Sequence, residues 1–160
     1  MSQLNAQPLT VQVAVLREAG APLQIESATL GAPAPTEVRV RVVATGVCHT
    51  DMVVRDQLFP TPLPIVLGHE GAGVVEAVGS AVTTVAPGDH VVMTYMSCGL
   101  CSPCETGHPA HCSHMHPLNF GGGRIDGSTS SCSCADEHPI HDHFFGQSSF
   151  DGVEALNDFS

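Results

Sequence analysis

A mostly β domain is predicted, and three observations predict it. Short runs alternate apolar and polar residues at a period of two, as strands buried on one face require. Glycine and proline punctuate those runs, notably at 19–22, 31–35, 60–64 and 86–88. One stretch, 48–56, carries Met52, Val53 and Val54 free of both breakers and is read as one or two helical turns. The 160 residues suit one domain of ordinary size, long enough to bury a core and too short for a second domain.

Taken in order, residues 9–16 (LTVQVAVL) alternate as a strand, and Ala19-Gly20-Ala21-Pro22 turns the chain into a second run, 23–30, to make an opening hairpin. Residues 37–47 alternate valine with arginine or glutamate before becoming apolar throughout, so one face is wet and the other packed. The prolines at 60, 62 and 64 end any helix begun at 48. From 71 to 85 glycines interrupt a β-rich run, which predicts a strand with a bulge or a close backbone approach. The turn Ala86-Pro87-Gly88-Asp89 leads to a strand over 90–95. After a cysteine-bearing loop at 96–113, the Gly, Ser, His and Asp of 113–139 show no period and read as a surface loop. Strand character returns at 144–150, and the tail 151–160 (DGVEALNDFS) reads as a short amphipathic helix.

Composition excludes several functions. At 42% hydrophobic and 13% charged the chain is globular, and its formal net charge of −11 argues against nucleic acid and anionic membrane, whose phosphates need Lys and Arg partners. The basic residues are five arginines, with no lysine. No apolar run approaches the ~20 residues that span a bilayer. The opening MSQLNAQP lacks the charged and apolar regions of a secretory signal, so the cytoplasm is the expected compartment. Seven cysteines is an odd number for a disulfide framework, and three of them fall at C-x-x-C spacing, which favours metal.

Those cysteines are Cys98, Cys101 and Cys104, followed by Cys112, with Gly99, Pro103, Gly107 and Pro109 letting the chain wrap. Four thiolates at such spacing suit a closed tetrahedral zinc cage; an iron–sulfur cluster uses the same ligands, while a thioredoxin-like redox pair lacks its βαβ setting. Cys48 follows a strand-like run at a turn freed by Gly46, and His69 lies between Gly68 and Glu70 where a loop enters the next strand. Two such corners can face one ion. The histidines at 108, 111, 114 and 116, and Cys132 and Cys134 with His138, His141 and His143, are weaker candidates for adventitious metal.

In this order and spacing, GVCHTD, GHEGAGVVEAVGSAV, PGDHVV and the four-cysteine loop resemble the zinc-dependent medium-chain alcohol dehydrogenases, most closely the aryl or benzyl alcohol branch. The resemblance covers about residues 9–150 and implies the GroES-like lobe, a partly open barrel with a zinc-binding cysteine loop, over 1–150, with 151–160 as an atypical tail and the Rossmann domain absent. It implies a structural zinc on Cys98, Cys101, Cys104 and Cys112. It implies a catalytic zinc on Cys48 and His69, with Glu70 beside the metal as a substitute ligand and the family's third cysteine missing. Asp51 would orient His69, Thr50 would take the proton of the alcohol, and His49 would contact the cofactor pyrophosphate, while Val53 stands where some members relay the proton through a histidine. Phe59, Thr94 and Tyr95 would line the substrate pocket. The implied reaction oxidises a primary or aromatic alcohol to an aldehyde with NAD(P), the cofactor belonging to a full-length parent because no glycine-rich strand-turn-helix occurs here. A lobe without its nucleotide domain is expected to self-associate. The alternative is a non-catalytic zinc-binding module acting through protein contacts.

Overall fold

The structure is a computed structural model that describes residues 7–150 and the backbone of 153–157. Strands β1 (Leu9–Leu16) and β2 (Gln24–Leu30) form the expected hairpin, Leu9 facing Leu30 and Val15 facing Gln24. Their period-two pattern drives Val11, Val13, Val15, Ala28 and Leu30 into one core. Three further strands define the rest of the framework: β3 (Glu37–Thr45), β4 (Ile65–Val66) and β5 (Gly71–Val78). They are followed by β6 (His90–Val92), β7 (Ser131–Ser133), β8 (Pro139–Ile140) and β9 (Val153–Asn157). A five-stranded sheet runs β4-β1-β2-β7-β8 and a four-stranded sheet β6-β5-β3-β9, and together they make the partly open barrel.

The predicted bulge is present. The register of β3 against β5 shifts between Arg39 and Val40 and again between Val42 and Ala44. Gly73 sits where the two backbones come so close that a Cβ would lie 2.3 Å from the Arg41 carbonyl oxygen. The first shift places an extra residue in β5 and the second an extra residue in β3, whose end leads through Gly46 and Cys48 into α1 (His49–Arg55), the helix expected there. Strand β6 is shorter than the 90–95 run, and β5 ends at Val78, where Gly79 donates to the Glu37 carbonyl and turns away.

Three expectations are corrected. Within 113–139 the chain forms the helix α3 (Met115–Phe120), which follows the short α2 (Ser102–Glu105), and then β7. Buried Asn119 fixes α3 to the cysteine loop by accepting from the Met96 N–H at 2.8 Å and donating to the Met96 carbonyl at 2.9 Å. Such a long-range partner leaves no period in the sequence. Residues 144–150 form no strand: Phe144–Gly146 is a 3-10 turn, with left-handed backbone at His143, Phe145 and Ser148. In the tail, 153–157 is a strand and not a helix, pairing antiparallel with β3 from Glu37↔Asn157 to Arg41↔Val153. The open hydrogen-bonding edge of β3 outweighs the local helical pattern of VEALN. The ends of the expected helix, 151–152 and 158–160, lie outside the described residues.

Candidate metal centres

Among the described residues, two groups bring three or more potential ligand atoms within 4.8 Å of one another: Cys98, Cys101, Cys104 and Cys112, and Cys48, His69 and Glu70. Both coincide with the sets read from the sequence.

The cysteine loop builds its cage from turns. Cys101 precedes α2, Cys104 lies one turn on within it, and a 3-10 turn at Pro109–His111 returns Cys112. The Cys101 and Cys104 sulfurs lie 3.4 Å apart, and Cys101 and Cys112 3.9 Å. Backbone N–H groups point at the sulfurs: Ser113 at Cys101 (3.5 Å), and Cys98 and His114 at Cys112 (3.4 and 3.3 Å). The N–H groups of Ser113 and Cys104 bring the Cys101 thiol down to about 6, whereas burial and the adjacent Cys101 sulfur push Cys104 up to about 11. Burial raises the Cys112 thiol, but the N–H groups of Cys98 and His114 outweigh it and bring it down too. Cys101 and Cys112 therefore ionise more readily than Cys104, and a divalent cation would supply the charge needed to ionise the rest. Donor type, number and spacing fit tetrahedral zinc.

The second centre is assembled by α1 and the loop into β5. Cys48 caps α1, and three residues later the fully buried Asp51 turns back into the site. Its Oδ2 accepts the Cys48 N–H at 2.8 Å, while Oδ1 accepts the Gly68 N–H at 3.1 Å and His69 Nδ1 at 3.2 Å. With Nδ1–H held by the carboxylate, His69 keeps Nε2 as a free lone pair. The hydrogen bond that His69 donates to Asp51 raises the His69 pKa against the opposing effect of burial. Thr50 sets its hydroxyl 3.6 Å from the Cys48 sulfur, and hydrogen bonds from the Thr50 backbone and side chain lower the Cys48 pKa. Gly46 is required here: a Cβ would meet Glu70 Oε2 at 2.1 Å, so its absence makes room for the carboxylate. A thiol, an imidazole and a carboxylate fit a zinc ion that leaves one position open.

The other sequence candidates scatter. His49 is exposed at the start of α1. Thr94 and Tyr95 line a cleft of about 700 Å³ with Thr83, Thr84 and Cys104, beside the cysteine loop. Phe59 packs with Phe120 at 4.4 Å and His116 at 5.5 Å between ring centroids. Cys132 lies in β7, Cys134 contacts the Thr29 hydroxyl at 3.4 Å, and His141 bonds the Gly122 carbonyl. His143 is buried between Asp142 (2.5 Å) and Glu37 (3.2 Å). Sequence reasoning missed an aromatic surface running from the second centre: the Phe145 ring stacks on His69 at 4.5 Å and meets Phe120 at 5.0 Å. The only signal was the Phe144-Phe145 pair inside a run that looked like a strand.

Comparison with known proteins agrees with this geometry. The family model for the alcohol dehydrogenase GroES-like domain matches residues 34–142. The chain is 52% identical over 149 residues to a geraniol dehydrogenase of Castellaniella defragrans, covering 92% of this chain and 39% of that protein. It superposes with a TM-score of 0.93 and 56% identity on the crystal structure of an alcohol dehydrogenase zinc-binding domain protein from Burkholderia ambifaria, covering 95% of this chain and 41% of that one. Against benzyl alcohol dehydrogenase from Acinetobacter calcoaceticus the TM-score is 0.87 at 44% identity, covering 94% and 40%. The chain thus spans well under half the length of these relatives. With the matched domain, the two clusters and the barrel all in agreement, the chain belongs to the alcohol dehydrogenase family, as its GroES-like domain.

Proposed function

We propose that the chain is the catalytic lobe of a zinc-dependent alcohol dehydrogenase that oxidises primary alcohols beside an aromatic or alkene carbon to aldehydes, using a nicotinamide cofactor. The observation that carries this reading is the convergence of Cys48, His69 and Glu70, backed by Asp51 and Thr50, at the edge of an aromatic surface. The names of two relatives support the substrate class, since geraniol and benzyl alcohol each place an unsaturated carbon next to the hydroxyl-bearing one.

Cys48, His69 and Glu70 would hold the ion, with Cys98, Cys101, Cys104 and Cys112 holding a structural one. Zinc, when bound, supplies a Lewis acid that lowers the pKa of an alcohol hydroxyl at its open position. Thr50 Oγ1, beside Cys48, is the group placed to accept the alcohol's hydrogen bond and relay its proton, passing its own hydroxyl proton on to solvent. Asp51 keeps His69 in one tautomer throughout. Phe145, Phe120 and Phe59 offer a flat apolar face to the unsaturated part of the substrate and exclude water from it. The hydride acceptor and its pyrophosphate, near His49, belong to the full-length protein.

A cobalt(II)-loaded chain tests this reading. The paramagnetic ion should shorten the proton relaxation times of benzyl alcohol and geraniol, and Cys48→Ser should remove the effect. Equal relaxation in both proteins would sink the reading. As to partners, Val43 (66% exposed) and Val92 (85% exposed) share an apolar cleft with Ala72 and Val91, which supports self-association. Light scattering should then find dimers or larger species; a monodisperse monomer would contradict this.

A further inference from the structure

We infer that Phe145 is a positioning residue for His69, and that the turn at 143–148 is held in a costly backbone conformation in order to keep the Phe145 ring on the imidazole. The inference rests on the reading of Cys48, His69 and Glu70 as a metal site. Four residues of this turn have positive φ: His143 (65°), Phe145 (53°), Gly146 (73°) and Ser148 (71°). Only Gly146 adopts such a conformation without a steric penalty, and a bulky aromatic residue is among the least suited to it. The conformation persists because the surroundings over-determine it. Both ring nitrogens of His143 are engaged, by Asp142 and by Glu37. The Ser148 hydroxyl accepts from the Phe144 N–H at 2.9 Å and donates to the Val66 carbonyl at 2.7 Å, and the Gln147 side-chain amide oxygen Oε1 accepts from the Gly71 N–H at 3.2 Å.

Core packing alone does not require the arrangement. Phe144, the neighbouring ring, is fully buried at the centre of its core cluster, while Phe145 is partly buried and packs at the margin of that cluster against Phe144 and Phe120. What Phe145 gains is the face of His69, nearly parallel at 4.5 Å and 22°, with Phe144 edge-on to the same imidazole at 5.5 Å and 82°. Asp51 fixes the Nδ1 edge. The imidazole is therefore restrained on one face, one edge and one flank, and the free direction is that of Nε2, toward Cys48 and Glu70. Restraint of this kind lowers the entropy lost when a ligand closes on an ion, so it acts on metal affinity.

Cobalt(II) titration of the whole chain, read by visible absorption, tests this. Bands that disappear in Cys48→Ser report the second centre, and the remaining bands report the four-cysteine cage. Phe145→Ala should weaken cobalt(II) at the second centre about 10-fold or more, leave the cage bands unchanged, and be rescued by Phe145→Tyr. Wild-type affinity in Phe145→Ala, or no rescue by tyrosine, would overturn the inference while leaving the metal site standing. Absence of Cys48-dependent bands in the unmodified chain would overturn the metal site and the inference together. Should Phe145→Ala lose both sets of bands by unfolding, Phe145→Leu decides, since it keeps apolar volume without a ring face: weakened binding is expected, and undiminished affinity overturns the inference.

Discussion

Asp51 gathers three donors on one buried carboxylate, the N–H groups of Cys48 and Gly68 and the Nδ1–H of His69, and so couples α1 to the loop that carries the histidine. Asp51→Asn keeps the shape but turns an NH2 toward one of those donors. It should lower zinc affinity at the second centre by about 10–100-fold and stability by about 1–3 kcal/mol. Zinc competition and thermal melts measure both, and an unchanged affinity would contradict the role. Gly46→Ala addresses the carboxylate ligand instead. Its methyl group would occupy the space of Glu70 Oε2 and swing a flexible, exposed side chain away. The expected outcome is weaker metal binding at an almost unchanged melting temperature; a large loss of stability would mean that Gly46 serves the backbone. Cys48 and His69 were legible as ligand candidates because turn residues set each at a strand corner, and the part of Asp51 was legible through the family resemblance. Phe145 was not, since its value lies in a left-handed backbone that no local pattern announces.

The cysteine loop is an element whose fold and metal are one equilibrium, because α2 is a single turn and the loop offers few apolar side chains beyond Met96, Leu118 and Met115. Cys101→Ser should release one zinc per chain and lower the melting temperature, and retention of both zinc and midpoint would refute this. Strand β3 anchors a second element through Glu37, which accepts from Arg124, His143 and the Ala34 N–H. Burial raises the Glu37 pKa, but the hydrogen bonds from Arg124 and His143 outweigh it and bring it down to about 2. Burial likewise lowers His143, and the charge and hydrogen bond of Asp142, with Glu37 behind them, raise it to about 9. The depressed carboxylate contributes stability that is present above about 4.3 and lost as pH falls toward 2. The raised imidazole contributes stability that is present below 6.5 and lost as pH rises to about 9. Both contributions are complete between about 4.3 and 6.5, and His143→Gln should flatten the alkaline fall of the melting temperature. A wild-type profile level from 6.5 to 9 would contradict the assignment. This network, α3 and the β9 pairing escaped sequence reasoning for one reason: each depends on partners far along the chain, Glu37 with His143, Asn119 with Met96, and β3 with β9.

On the scale of the molecule, the barrel brings two candidate metal centres to separate parts of one domain, one closed by four cysteines and one with a free position. Strands β1, β2, β3, β5 and β6 were readable as alternating runs between turn residues, and β1 with β2 was the one pairing that could be read, as a local hairpin. The closing strands β7, β8 and β9 are two to five residues long and carry too little pattern to read. On the proposed function, both centres bind metal in this chain. Zinc per chain, measured on the purified wild type, Cys48→Ser and Cys104→Ser, tests it most directly. Two equivalents in the wild type, with one lost in each variant, is the predicted result. One equivalent, lost in Cys104→Ser and kept in Cys48→Ser, would contradict the claim and leave a structural zinc module.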